Sequence, residues 1–163
     1  MNPAALYSYR SDVHVAAFVP GAFIGPAHVE EGGISAKIWD VTTYADVFAL
    51  RLSLRRASVA RHEVLFSLEM ADGVSISIGY GSGASGIARL GSRGVNDGVA
   101  VAVMDCLVTE KRIDAQMAVS PLPGPGQVDV LLTMGDGLML GEILLSGDRI
   151  LEASRYVRQR DLA

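Results

Sequence analysis

The hexapeptide Gly81-Ser82-Gly83-Ala84-Ser85-Gly86 has the spacing G-x-G-x-x-G, and Asp105 follows about 20 residues later. In a dinucleotide site the glycines admit a pyrophosphate close to the backbone, and the acid binds a ribose. That chemistry needs a helix opening behind the last glycine and, before it, a strand buried on both faces. Neither is written here. Ile87–Gly98 holds glycines at 91, 94 and 98, each costing about 1 kcal/mol inside a helix. Ser75 and Ser77 make the preceding strand wet on one face, unlike a parallel strand of a doubly wound sheet. Gly81, Gly83, Gly86 and Asp105 are thus the cofactor-binding candidates of an alternative reading, a small-ligand or nucleotide protein using residues 79–98. The main expectation is no cofactor. Seven glycines in Gly79–Gly98 predict a mobile loop between strands, because glycine has the most backbone entropy to lose on ordering.

Other reactive residues are scattered. His14, His28 and His62 stand far apart, none with ligand spacing to another, and Cys106 has no partner cysteine, so no metal site is expected. His28-Val29-Glu30-Glu31 reads as a solvated polar loop. Cys106 falls within an apolar strand, where a structural thiol is the usual outcome. No G-x-S-x-G elbow occurs, since Ile87 stands where Ser85 would need its second glycine. No catalytic residue is assigned. The first half holds one basic cluster, Arg51, Arg55, Arg56 and Arg61. Arg51 and Arg55 share the outer face of a strand, where guanidinium forks can grip an anion or an acidic partner. No aromatic platform accompanies them along the chain, which favours a plain solvated face.

The elements that must position these residues are legible from periodicity. Phe48, Leu50, Leu52 and Leu54 alternate with Ala49, Arg51, Ser53 and Arg55, and Val64, Phe66, Leu68 and Met70 repeat the pattern. One wet face implies an antiparallel sheet. Further strands are expected at Val13–Val19, Ile34–Val41, Val74–Ile78, Val99–Thr109, Ile113–Val119, Val128–Met134 and Leu138–Leu145. Asp72-Gly73 signals a hairpin. Near the end the period changes: Ile150, Leu151, Ser154 and Val157 form one stripe of a helix over Asp148–Gln159, with Asp148 as its N-cap and Arg155, Arg158 and Arg160 favouring its dipole. The expectation is a mainly β, antiparallel sandwich or barrel-like sheet of eight or nine strands with one C-terminal helix, in one domain over residues 1–163.

Half of the 163 residues are hydrophobic, enough for a core without a disulfide, which a lone cysteine excludes in any case. A net charge of −4 and a pI near 5.3 argue against nucleic acid as a partner. No apolar run approaches the roughly 18 residues of a membrane span. Val13–Ile24 is apolar, but one basic residue, Arg10, precedes it, and His14, Pro20 and Gly21 interrupt it, unlike a secretory signal. A cytoplasmic location is expected.

The Pro121–Gly126 break, the strand–turn–strand of Val128–Leu145 and the helix Ile150–Arg158 resemble a family of small, β-rich bacterial proteins without assigned function. Val47–Arg56 and the segment ending in Ala71-Asp72-Gly73 fit the same order of elements. The resemblance covers about half of the chain and implies no activity.

These observations point to a non-catalytic structural or partner-binding β-domain acting in a protein assembly. Leu65, Leu131, Met139, Ile143 and Leu145 are read as apolar side chains opposite the main core stripe. Some would lie under the helix, and the others would meet a second copy, so a homo-oligomer is expected.

Overall fold

The computed structural model describes residues 16–57, 65–67, 70–71, 73–90, 92–135 and 137–161. The strands are β1 (Ala17–Phe18), β2 (His28–Glu31), β3 (Ile34–Thr43), β4 (Phe48–Arg56), β5 (Val74–Tyr80), β6 (Ser85–Arg89), β7 (Ser92–Asp97), β8 (Ala100–Val108), β9 (Arg112–Ser120), β10 (Gln127–Met134) and β11 (Leu138–Ser146), followed by α1 (Gly147–Asp161). One sheet runs β1-β3-β4-β9-β8, with β2 also on β3, and the other runs β11-β10-β5-β6-β7. Every pairing within them is antiparallel. Phe48, Leu50, Leu52 and Leu54 from the first sheet meet Ile76, Ile78, Val130 and Leu132 from the second in one core. The protein is an antiparallel sandwich with a single C-terminal helix, as the alternating pattern requires.

The strand total differs from expectation for three local reasons. Gly32 and Gly33 both have positive φ (59° and 79°), which suits a tight two-residue hairpin. The expected polar loop His28–Glu31 is therefore strand β2, with Val29 packed against the core. The expected loop at Gly79–Gly98 is instead built into the end of β5, β6 and β7, whose ladders satisfy its backbone. The expected strand Val64–Met70 is not formed by its described residues. Phe66 donates its N–H to the Glu110 carbonyl at 3.0 Å, and Ala71 bonds back to Ser67 at 3.0 Å in a helical turn. Val64, Leu68 and Asp72 lie outside the described residues, as do Arg61 and the first three residues of Val13–Val19. Phe66 is nevertheless buried, as its place in the pattern implies.

The sheets close on each other along two seams. At one, Ile24 donates to Leu144 O at 2.9 Å and Ser146 to Ala22 O at 2.7 Å, so the segment after β1 pairs onto β11. At the other, Val99 donates to Ser85 O at 3.2 Å, bringing the start of β8 to β6. At the second seam, and again where β11 meets β2, there is no room for a side chain. A Cβ at Gly86 would lie 2.2 Å from Val99 O, and one at Gly141, where φ is +150°, would lie 2.6 Å from Val29 Cβ.

A bulge in β11 corrects the assignment of its faces. Leu132 pairs with Gly141 but Thr133 with Met139, so Leu140 is the extra residue and the alternation shifts by one. Ile143 and Leu145 consequently face the core at 0% exposure, while Met139 is 56% exposed and Leu131 half-buried outside. Leu65 is exposed, as expected.

Helix α1 starts one residue earlier than expected, and Ser146 caps it. Its Oγ accepts the Arg149 N–H at 3.2 Å. Asp148, expected to be the cap, instead accepts the Gly126 N–H at 3.1 Å, tying the proline-rich turn to the helix start. Ile150, Ser154 and Val157 are buried against the sandwich, where α1 contacts β1, β3 and β10. Tyr80 donates to Pro121 O at 2.5 Å from the end of β5, and burial pushes its hydroxyl pKa above the ordinary 10.0. No described helix is long and apolar enough to cross a membrane.

Candidate functional site

The outer face of the first sheet is shaped by two bulges, both visible as phase shifts in the sequence. In β3 the buried positions run Ile34, Ala36, Ile38 and then Val41 and Thr43. Ile38 pairs with Leu52 but Asp40 with Arg51, so Trp39 is the inserted residue. In β8 the core-facing residues run Val101, Val103 and then Cys106 and Val108, and Met104 is the inserted residue. Each bulge places two consecutive side chains outside: Trp39 with Asp40, and Met104 with Asp105. Bulges bend a strand and re-aim its side chains. Here they flank β4 and β9 at one level, since Asp40 pairs with Arg51, Arg51 with Gln116, and Gln116 with Asp105.

A concavity of about 760 Å³ lies on this face, lined by residues that include Trp39, Arg51, Asp105, Leu107, Asp114 and Gln116. Its centre is a chain of hydrogen bonds. The Trp39 indole N–H donates to Ser53 Oγ at 2.7 Å, and the Ser53 hydroxyl donates to Asp114 Oδ1. Arg112 Nε in turn meets Asp114 Oδ2 at 2.7 Å. Ser53 is only 4% exposed, so a buried hydroxyl has both its donor and an acceptor position used. Trp39 is 45% exposed, and its ring is held in place on the open face of the protein. Lys37 Nζ lies 4.0 Å and Arg55 Cζ 5.4 Å from the ring centroid, both within cation–π range. Arg51 pairs with Asp40 at 3.4 Å.

The far end of the same face is apolar. Val47, Ala100 and Ala118 form a second, small buried cluster with Tyr44, Ala102 and Met104 around it. The bulges mark the border between the polar and apolar halves.

Of the residues read from the sequence as anion or partner contacts, Arg51 and Arg55 both line this concavity. The aromatic platform missing along the chain is supplied by Trp39 from the neighbouring strand β3. Gly81 and Gly83 lie in the turn between β5 and β6, and Gly86 lies in β6 itself, so a strand follows where the dinucleotide fingerprint needs a helix. Asp105 belongs to the other sheet, in the concavity. Ser53, Asp114 and Arg112 escaped the sequence reading because each is an ordinary outer-face residue within its own strand. Only lateral pairing of β4 with β9 joins them. No group of His, Cys, Asp or Glu able to hold a metal ion occurs among the described residues.

No protein-family model, curated protein or solved structure matches the chain. What this face can do therefore follows from its own residues. Ser53 cannot serve as a nucleophile as it stands: its proton is committed to Asp114, and its oxygen is covered. The arrangement presents a fixed indole, guanidinium and ammonium groups and an amide to solvent, which is equipment for recognition.

Proposed function

We propose that this protein is a non-catalytic binding domain that docks an extended segment of a protein partner on the outer face of its first sheet. The observation that carries this reading is the chain Trp39–Ser53–Asp114–Arg112, which immobilises an exposed aromatic ring in a concavity. A rigid aromatic anchor loses little entropy on binding, and Trp and Arg lead among residues that carry interface energy. The test is selection of random peptides displayed on phage by the full chain. A consensus recovered by the native protein and lost with Trp39→Ala supports the reading. Failure to enrich any consensus, or enrichment indifferent to Trp39→Ala, overturns it.

A second reading, self-association, has its own observation on the outer face of the second sheet. Ile87 and Met139 are exposed there, beside the small residues Ser75, Ser77 and Thr133. Arg89 stands on β6 and Glu142 on the edge strand β11, on either side of β10 and β5. A second copy related by a two-fold axis along the strands, passing between β10 and β5, would bring each β6 over a β11, setting opposite charges together. Sedimentation velocity across the micromolar range should then show a dimer of the 17.2 kDa chain. A monomer at every concentration removes this reading.

A further inference from the structure

We infer that the corner of the first sheet formed by Lys37, Trp39, Arg55 and Arg112 is a carboxylate-binding subsite, so that the docked segment is an acidic one. This inference rests on the partner-binding reading above and specifies its ligand.

Three features of the corner point to an anion. Arg55 stands directly opposite Arg112 on the β4–β9 ladder, a like-charge pair that weakens a sheet unless something between the two offsets it. Arg112 engages Asp114 through Nε, which leaves the terminal nitrogens of its fork without a partner among the described residues. Lys37 and Arg55 have no ion pair among the described residues, and each rests on the indole instead. The exposed like charges thus converge on one spot, in a chain whose net charge is −4.

The charge balance chooses carboxylate over phosphate. Around the concavity, Lys37, Arg51, Arg55 and Arg112 stand against Asp40, Asp105 and Asp114, leaving one positive charge in excess, while Glu30 of β2 stands two strands from Arg55 in the same row. A carboxylate neutralises that excess. A phosphate monoester, with roughly 1.5 to 2 negative charges at neutral pH, overshoots it and meets three fixed carboxylates. Planar carboxylates also match the fork of an arginine in two parallel hydrogen bonds.

The apolar half of the face sets the rest of the ligand. From Arg55 to Ala49 is six residues of β4, about 20 Å at roughly 3.3 Å per residue. An extended segment of about six residues spans that distance. Its acidic end would meet Arg55 and Arg112, and its apolar end would reach Tyr44 and Met104.

Trp39 is the only tryptophan in the chain, so fluorescence excited selectively at tryptophan, and not at the five tyrosines, reports on this corner. The probe is the capped peptide Glu-Thr-Glu-Thr-Val-Leu, titrated at low salt, with its Gln-for-Glu counterpart and a phosphothreonine version beside it. The expected result is a saturable change with the acidic peptide. Affinity should fall about tenfold or more for the Gln peptide, and likewise for Arg55→Gln, as a charge-assisted hydrogen bond is lost. Raising the salt to about 1 M should weaken it further. Circular dichroism checks that Arg55→Gln keeps the fold. Equal binding of the Gln peptide, tighter binding of the phosphopeptide, or no fluorescence response to any of the three overturns the inference. A phage consensus that depends on Trp39 but lacks an acidic residue also overturns it and leaves the partner-binding reading standing.

Discussion

Gly86→Ala should be among the most damaging alanine substitutions at the described glycines of this protein. The new carbon would sit 2.2 Å from the Val99 carbonyl oxygen and 3.0 Å from its carbon, both backbone atoms that cannot rotate away. Relief requires parting β6 from the start of β8, where the Val99 N–H to Ser85 O bond and the Ser85–Gly98 bridge hold the two sheets together. Overpacking of this sort costs about 1–3 kcal/mol, and occasionally more, where the neighbours are rigid. Against a typical total stability of about 5–15 kcal/mol, that is a large fraction. Urea denaturation of the variant should show a midpoint lowered by the equivalent of about 3 kcal/mol or an unfolded chain. A midpoint within 0.5 kcal/mol of the native value, on the order of an ordinary surface substitution, would mean that the seam is not closed here. The third glycine of the apparent nucleotide fingerprint thus has a packing role, and alanine at Gly81, which has open space around its Cβ position, should be far milder.

Leu52→Ala tests the core from the opposite sheet. Leu52 is 1% exposed on β4, which has strands on both sides, β3 and β9. Removing its isobutyl end leaves a void that paired neighbours cannot collapse into, so the loss should be about 2–5 kcal/mol. Arg51→Ala, one residue away, exchanges a 65% exposed side chain with one ion pair and should cost under about 1 kcal/mol. The contrast between adjacent positions is the measurement that matters. A larger loss for Arg51→Ala than for Leu52→Ala would show that the two faces of β4 have been exchanged.

Much of the architecture is written in local pattern. The period-two alternation of Phe48–Leu54 and Val128–Met134 identifies core faces correctly because neither strand has a bulge in its own chain. The change to a helical period at Ile150 is equally direct, since a buried stripe needs that spacing. Where the pattern misled, a bulge or a glycine was responsible. In β11 the extra residue Leu140 moves Ile143 and Leu145 to the core, and a reading of strict alternation places them outside. In Gly79–Gly98 glycine content suggested mobility, yet these glycines include Gly86, whose bare Cα permits close backbone approach and so favours order.

The outer face of the first sheet was half visible. Arg51 and Arg55 stand out because two guanidinium groups share one face of one strand, a fact of spacing alone. Trp39 was overlooked although its bulge leaves a trace, the shift of buried positions from Ile38 to Val41. The remainder depends on which strand lies beside which. Ser53 is 61 positions from Asp114 and 14 from Trp39, and no local preference brings them together. The pairing β3-β4-β9-β8 does so, by laying four outer faces side by side and curving them with two bulges. Residue pattern along each strand was sufficient for the class of fold, the core faces of the strands without a bulge and the helix, because burial acts on each segment separately. The concavity and its charge balance arise from lateral register, a property of the assembled sheet that belongs to no single segment.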